Sequence, residues 1–100
     1  MVIYEVNLTI RYEIYLDYYA WLLEHVNQML KLDGFLQVEI GEVETDDHTK
    51  QLRVSYSVLS RDHLDDYLTN HAGKMRLEGI EKFGDQVSAS RRIILEPITL

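Results

Sequence analysis

Alternating apolar and polar residues open the chain and predict a strand with one buried face. Tyr4 belongs to an apolar series, whereas Glu5 and Asn7 belong to the other, mainly polar series. A period of two residues is typical of a half-buried strand. We therefore predict a strand over residues 2–11. Its core-facing residues are Val2, Tyr4, Val6, Leu8 and Ile10.

The period lengthens to three and four residues from about Glu13 to Leu32, which predicts a helix. The apolar face of this helix comprises Tyr15, Tyr19, Leu22, Leu23, Val26, Met29 and Leu30. Gly34 follows the last of them. Glycine suits the left-handed conformation that commonly ends a helix, so we place the helix end just before it.

A second strand is predicted from Phe35 to about Thr45. Its buried side is formed by Leu36, Val38 and Ile40. Parity would next turn Glu42 towards the core, unless Gly41 forms a bulge that lets Val43 resume the apolar series.

A hairpin connection over residues 46–50 leads to a third strand, Gln51 to Leu59. The core-facing residues of this strand are Leu52, Val54, Tyr56 and Val58. The opposite series consists of Arg53, Ser55 and Ser57, and contains no aromatic residue.

Ser60 is a suitable N-cap for a second helix, and Asp62 complements the dipole of its first turn. The predicted apolar stripe contains Leu64, Tyr67, Leu68, His71, Ala72 and Met75. We expect the helix to continue to about Gly84 despite a weak point at Gly73. The last strand is predicted from Gln86 to Pro97.

The order strand, helix, strand, strand, helix, strand predicts a ferredoxin-like α+β fold. With right-handed crossovers, both helices cover one face of a four-stranded antiparallel sheet. Residues 1–100 are expected to form a single domain, because no linker or repeat interrupts them.

The opening stretch "IYEVNL" resembles the first RNA-contacting strand of an RNA-recognition domain, in which an exposed aromatic residue stacks on a base. Here Tyr4 shares its parity with the core series, so turning it outward would bury Glu5 and Asn7. The formal net charge of −7 also disfavours contact with phosphates. We therefore expect no nucleic acid partner.

The composition removes several kinds of chemistry. The chain has no cysteine, which excludes disulfides, thiolate nucleophiles and thiolate metal sites. No glycine-rich phosphate loop is present. The start "MVIYEVNL" contains no basic region followed by a long apolar run, so we expect a soluble, cytoplasmic protein without a membrane span.

The sheet face turned away from the helices has two interpretations. It is either a solvated surface or the interface of a homodimer, in which Glu5 or Glu39 pairs with Arg53 or Arg92. The uncovered half of the sheet favours the homodimer. The apolar residues Ile98 and Leu100 lie in a tail beyond the sheet and are expected to pack on the partner.

Four stretches, "VIYEVNLTI", "WLLEHV", "YLTNHAGKMR" and "EKFGDQVSASRRIILE", carry a resemblance that extends over nearly the whole chain. The chain is similar to a family of small bacterial proteins known only as a domain of unknown function, within the dimeric α/β-barrel superfamily. Relatives there include cofactor-independent monooxygenases, haem-degrading monooxygenases and muconolactone isomerase. The resemblance implies a dimer with a small-molecule pocket between the helices and the sheet.

Trp21 and His25 lie one helical turn apart, flanked by Tyr18, and form a second aromatic face on the first helix. Packing or a dimer edge is the favoured explanation of this face, and a pocket wall is the alternative. The catalytic interpretation uses His25 as a proton carrier in an apolar setting.

His71 and Arg91 are both predicted to point into the layer between the second helix and the sheet. Burying either without a partner is costly, so we expect a polar cavity there, with Tyr67 or Trp21 as a wall. Arg91 would fix a ligand's charge, pair with Glu24 or be turned outward by a bulge, and His71 would move a proton. Taken by itself, His71 is more simply explained as a core histidine with one hydrogen bond.

The run Asp46-Asp47-His48 contains residue types that bind metals, but adjacent positions on a hairpin define no coordination geometry. We therefore expect no metal and no cofactor.

Three functions remain open for this chain. A homodimeric binding or sensing domain for a small anionic or carbonyl ligand is favoured. The alternatives are a cofactor-independent monooxygenase or isomerase and a structural protein-interaction module. An enzyme predicts that His71 or His25 reaches into a pocket, whereas an interaction module predicts no pocket.

Overall fold

The computed structural model describes residues 1–45 and 48–100, and they form a ferredoxin-like α+β fold. The strands are β1 (Val2–Arg11), β2 (Phe35–Val43), β3 (Thr49–Val58) and β4 (Val87–Ile94). The helices are α1 (Tyr15–Met29), α2 (Arg61–Asn70) and α3 (Ala72–Phe83). The strands form one antiparallel sheet in the order β2-β3-β1-β4. The predicted fold is thus confirmed, except that its second helix is two helices.

The register of the central strand confirms the predicted parity. Tyr4 lies opposite Tyr56 on β3 and Ile93 on β4, and Val6 lies opposite Val54 and Arg91. Tyr4 is only 2% exposed. The aromatic residue of the opening stretch is therefore a core residue and offers no surface on which a base could stack.

The bulge in β2 lies at its start, and the suggestion of a bulge at Gly41 was wrong. The register shifts between Phe35 and Gln37, so Phe35 turns inward and Leu36 is 55% exposed. Phe35 packs edge-on against Tyr56 and Tyr67, with ring centroids 5.7 and 5.2 Å apart. Burying the larger aromatic ring accounts for this choice, because ring pairs add to the energy of burial.

Without a bulge at Gly41, Glu42 stays on the helix side of the sheet, at its edge. There it lies opposite Leu52 and accepts a hydrogen bond of 2.9 Å from Lys50 Nζ. The carboxylate is exposed, so its charge remains hydrated at this end of the sheet.

The second predicted helix breaks at His71, whose φ of −126° is not helical. Ser60 caps α2 as predicted, because its hydroxyl accepts a hydrogen bond from the His63 amide. After the break, Ala72 packs into the core and His71 is exposed. The expectation that His71 faces the sheet was therefore wrong; its Nε2 atom lies 3.7 Å from an Asp66 carboxylate oxygen.

The buried face of α1 differs from the predicted one by a rotation of the helix. Tyr18 is buried with Leu22, whereas Leu23 is 41% exposed. Gly34 follows the helix with the predicted positive φ, 83°. A Cβ atom at Gly34 would also lie 2.5 Å from the His63 ring, so glycine is needed there for space as well as for conformation.

On the open face of the sheet, Glu5 and Arg92 form an ion pair within the chain. Arg92 Nε lies 2.6 Å from Glu5 Oε1, and Asn7 donates a second hydrogen bond to the same oxygen. Arg92 lies over Glu5, which is 2% exposed although it faces away from the helices. This arrangement lowers the pKa of Glu5, mainly through the hydrogen bond from Arg92.

No helix among the described residues is both long enough and apolar enough to cross a membrane.

Candidate functional site

A cavity of about 120 Å³ lies between the helices and the covered face of the sheet. Its aromatic wall is formed by Tyr4, Tyr18, Trp21, Tyr56 and Tyr67. Its basic groups are His25, Arg76 and Arg91. Leucine, isoleucine, valine, methionine, alanine and glycine residues complete the lining. This volume is close to the roughly 150 Å³ of an engineered protein cavity that binds benzene. The size of the cavity is therefore suited to a single aromatic ring.

The cavity opens along β4, which is an edge strand of the sheet. The lining residues of this strand are Val87, Ala89 and Arg91, the series that points towards the helices. Ala89 and Arg91 are exposed, and so is Ile80 on the facing helix. The helices therefore cover the central strands more completely than β4 and leave this side accessible to a ligand.

Tyr18, Tyr56 and Tyr67 of the wall are neutral phenols at physiological pH. Burial raises the pKa of Tyr18 and of Tyr67 to about 12 each, and raises that of Tyr56 as well. Tyr4 packs between the rings of Tyr56 and Tyr67, at centroid distances of 6.0 and 5.7 Å. These residues offer a ligand flat surfaces and hydroxyl groups, and they contribute no negative charge.

Arg76 reaches the cavity from α3 and has no carboxylate partner among the described residues. Its Nη2 donates a hydrogen bond of 2.8 Å to the Tyr4 hydroxyl, and its Nε is buried without a hydrogen bond. The guanidinium also lies close enough to Tyr67 to oppose the rise in that residue's pKa caused by burial. Arg76 is thus positioned by neutral groups, and the guanidinium lines the cavity without a carboxylate beside it among the described residues.

Arg91 points into the cavity from β4, as its parity predicted, but it is exposed rather than buried. The described residues provide it with no hydrogen bond or ion pair, so the suggested pairing with Glu24 does not form. Burial is the main influence on the pKa of Tyr18 and Tyr56, and the charge of Arg91 opposes it in both cases. The charge of Arg91 therefore influences two buried tyrosines, while the guanidinium itself remains hydrated at the opening.

Trp21 and His25 stack at one side of the cavity, with ring centroids 4.7 Å apart and an interplanar angle of 18°. The edge of the indole fits against Gly79 of α3, where a Cβ atom would lie 2.8 Å from Trp21 Cη2. His25 Nδ1 is buried without a hydrogen bond. Burial lowers the pKa of His25, so the ring is neutral at physiological pH.

The charges of the cavity are unbalanced. Two arginines and one histidine line it, and no aspartate or glutamate is found among the described lining residues. The chain as a whole carries a formal charge of −7, so its acidic residues lie elsewhere. The lining therefore favours electron-rich or anionic groups.

The structure brings four of the predicted site residues together and separates a fifth from them. Trp21, His25, Tyr67 and Arg91 all line the cavity, whereas His71 lies outside it on the surface. Asp46 and Asp47 of the considered metal run lie outside the described residues. Elsewhere in the described chain, no cluster of three metal-binding side chains occurs.

Sequence reasoning missed Arg76, the second arginine of the cavity. Arg76 follows Met75, a predicted stripe residue, and lies four residues after Ala72 on the same helix. Spacing of this kind places it at the edge of the buried face. An arginine at such an edge can equally extend to solvent, and only the position of the Tyr4 hydroxyl resolves this choice.

Several solved structures share the fold of this chain at low sequence identity. A proposed antibiotic biosynthesis monooxygenase from Deinococcus radiodurans superposes with a TM-score of 0.78 at 12% identity, covering 100% of this chain and 96% of its own. A mutant of SnoaB, a cofactor-independent oxygenase from Streptomyces nogalater, gives 0.72 at 10% identity, covering 99% and 96%. A dimeric ferredoxin-like protein from an uncultured marine organism gives 0.68 at 12% identity, covering 99% and 97%.

Among curated proteins, no sequence matches this chain. A family model does match it, over residues 1–98. The match spans nearly the whole chain, in agreement with the resemblance noted from its sequence. The chain therefore belongs to the family described as domain of unknown function DUF4286.

Proposed function

We propose that this protein is a homodimeric small-molecule-binding protein whose ligand is a flat anion held in the cavity. The observation that carries the proposal is the pair of guanidinium groups, Arg76 and Arg91, in a lining whose described residues include no carboxylate. A guanidinium binds carboxylates through strong, charge-assisted hydrogen bonds. A ligand carboxylate would give both arginines the partner that the described residues do not supply.

The aromatic wall supports a flat ligand rather than a branched one. Five aromatic side chains line a cavity whose volume is suited to one ring. Ring stacking against tyrosine and tryptophan adds to the energy of burial. An aromatic carboxylate such as benzoate therefore combines the two properties of the lining, and it serves as the probe below.

The binding proposal is tested by comparing benzoate with benzyl alcohol, which has a similar size and no charge. We expect benzoate to bind about 10-fold or more tightly, because a hydrogen bond to a charged group contributes about 1.5–3 kcal/mol. Isothermal titration calorimetry measures both affinities. Equal affinity for the two compounds, or no binding of benzoate, would overturn the proposal.

Arg91→Met tests the same charge interaction from the side of the protein, because it removes a positive charge instead of the ligand's negative one. Arg91 is exposed, so its replacement should leave the fold intact while it removes the charge at the opening. The matched control is Arg61→Gln, because Arg61 pairs with Asp65 on the surface of α2 and lies outside the cavity. We expect only the Arg91 variant to lose its preference for benzoate over benzyl alcohol.

The homodimer is proposed to form through the open face of the sheet. This face combines short polar side chains with an ion pair, and the apolar tail residues Leu95, Ile98 and Leu100 are exposed beyond it. One of the similar structures is described as a dimeric ferredoxin-like protein. Sedimentation at micromolar concentration should give twice the chain mass of 11.8 kDa; a monomer there would reject the dimer.

A cofactor-independent oxygenase or isomerase is the second candidate, and His25 is the observation in its favour. This histidine lines the cavity and is the type of side chain that moves protons near neutral pH. Two of the similar structures are described as a proposed monooxygenase and an oxygenase. Oxygen uptake with a set of phenols, lost in His25→Phe, would support turnover. Binding without uptake supports the first proposal alone.

The third alternative, a structural interaction module, predicted that no pocket would be found. The cavity counts against it, although exposed apolar residues such as Leu16 and Ile80 are present on the helices.

A further inference from the structure

His25 has one nitrogen whose surroundings are closed. The ring is stacked on Trp21, and its Nδ1 atom is buried without a hydrogen-bond partner. The described residues provide Nε2 with no hydrogen bond or ion pair either, yet the side chain lines the cavity. The two nitrogens therefore differ in access: Nδ1 is shut off from any partner, and Nε2 is the one that a ligand can approach.

The closed nitrogen determines the tautomer. A neutral imidazole carries one N–H group and one bare nitrogen. Among buried backbone groups, an N–H without a partner is rarer than an acceptor without one, and we apply the same preference to the ring nitrogens. The proton of His25 is therefore better placed on Nε2, with Nδ1 as the bare, buried acceptor.

The same geometry disfavours the protonated ring, in which both nitrogens would carry hydrogen. Burial of the ring acts in the same direction, and the nearby charge of Arg91 adds to it, whereas Glu78 opposes it. The ring therefore remains neutral at physiological pH and presents a single N–H group.

We propose that His25 is a fixed neutral hydrogen-bond donor of the cavity, through Nε2–H, and that it selects ligands with an acceptor oxygen besides their acid group. This proposal rests on the proposed function, because it concerns the ligand of the same cavity. The two arginines hold the acid group, and His25 meets the second oxygen. The ligand class is thus an aromatic carboxylate that carries a carbonyl group.

The tautomer is tested by nitrogen-15 NMR of the histidine side chains in the wild-type protein near pH 7. His25 is assigned by its absence from the spectrum of His25→Phe. We expect a bare Nδ1 and a protonated Nε2 for this residue. A proton on Nδ1, or on both nitrogens, would overturn the proposal regardless of any ligand.

The ligand class is tested by comparing benzoate with its 2-, 3- and 4-formyl derivatives. A hydrogen bond between neutral groups contributes about 0.5–1.5 kcal/mol, so the best-placed formyl group should improve affinity about 2- to 10-fold. His25→Phe keeps an aromatic ring against Trp21 and removes the donor, so it should abolish this preference. His71→Phe is the matched control, because His71 is an exposed histidine outside the cavity.

The outcomes separate this proposal from the proposed function. If benzoate binds and no formyl derivative binds more tightly, the role of His25 is wrong and the anion site stands. If His71→Phe loses the preference as fully as His25→Phe, the cavity donor is not His25. If the wild-type protein binds none of the four acids, both proposals fall. Should His25→Phe fail to fold, His25 is assigned instead as the signal that remains in single variants of His48, His63 and His71, and the wild-type nitrogen spectrum then decides the tautomer.

Discussion

Arg91 and Arg92 are neighbours on β4, yet the two faces of the sheet place them in opposite situations. Arg92 lies on the open face and forms an ion pair of 2.6 Å with Glu5. Arg91 lies on the helix side, opposite Val6, and finds no carboxylate among the described residues. The covered face is lined by aromatic rings and a second arginine, whereas the open face offers both signs of charge.

The difference indicates which face needs a partner from outside the chain. On the open face, Glu5 already pairs with Arg92 within one chain, so Arg92 does not imply a ligand. The cavity leaves two guanidinium groups with neutral neighbours or none among the described residues. In this molecule, the guanidinium groups that lack a carboxylate partner are therefore the stronger indication of a binding site.

The largest expected difference is in the free energy of unfolding, when two adjacent residues of β3 that lie on opposite faces are replaced in turn. Leu52→Ala on the covered face should lower the free energy of unfolding by about 2–5 kcal/mol, because it leaves a cavity where a 2% exposed side chain was packed. Arg53→Ala on the open face should change it by no more than about 0.5 kcal/mol in the monomer. Urea denaturation at low protein concentration measures both.

Repeating the urea titrations at high protein concentration tests the dimer as well. If two open faces pack together, Arg53→Ala becomes more destabilising as concentration rises, because the dimer contributes to stability by mass action. If Arg53→Ala lowered the free energy of unfolding as much as Leu52→Ala at every protein concentration, the distinction between the two faces would be contradicted.

A smaller effect is expected from the two glycines of α3. Gly73→Ala meets no atom within 4 Å and should stabilise the helix by about 0.5–1 kcal/mol. Gly79→Ala places its Cβ against the Trp21 ring and should lose that gain, because overpacking costs about 1–3 kcal/mol. Trp21 is the only tryptophan, so its fluorescence reports the displacement. An unchanged spectrum with increased stability for Gly79→Ala would show that the wall is not tightly packed.

The smallest effects on stability are expected as the pH is lowered. One titrating residue on each side of the sheet, His25 or Glu5, affects stability over its own pH window. The pKa of His25 is lowered from its ordinary value of 6.5, so the unfolded chain binds more protons and stability falls as pH decreases below 6.5. The pKa of Glu5 is lowered from 4.5, so its contribution is present above pH 4.5 and is lost as pH falls through the folded value.

Urea midpoints are measured between about pH 3 and pH 8, a range that includes both windows. These measurements separate the two contributions. His25→Phe should remove the upper window and leave the lower one, and Glu5→Gln should do the reverse. Each variant is thus the control for the other. Loss of both windows in one variant would indicate that the two faces are coupled.

The alternation in β1 and β3 was sufficient to predict which residues face the helices. Tyr4 and Tyr56 lie where parity placed them, because a slip of one residue would expose the whole apolar series. The alternation could not locate the bulge in β2, since Phe35 and Leu36 are both apolar. Packing against Tyr56 and Tyr67 selects Phe35, and these rings come from distant parts of the chain.

The sequence alone determined the fold class, the parity of Arg91 and the aromatic character of α1, because these follow from local periodicity. Tertiary structure alone decided that His71 lies on the surface and that Arg76 joins Arg91 in the cavity. The helix break at His71 turns its side chain to the surface, and the hydrogen bond from Arg76 to Tyr4 joins residues far apart in the chain. Periodicity assigns each residue to a face of its own element, whereas the meeting of those faces depends on the three-dimensional packing of all of them.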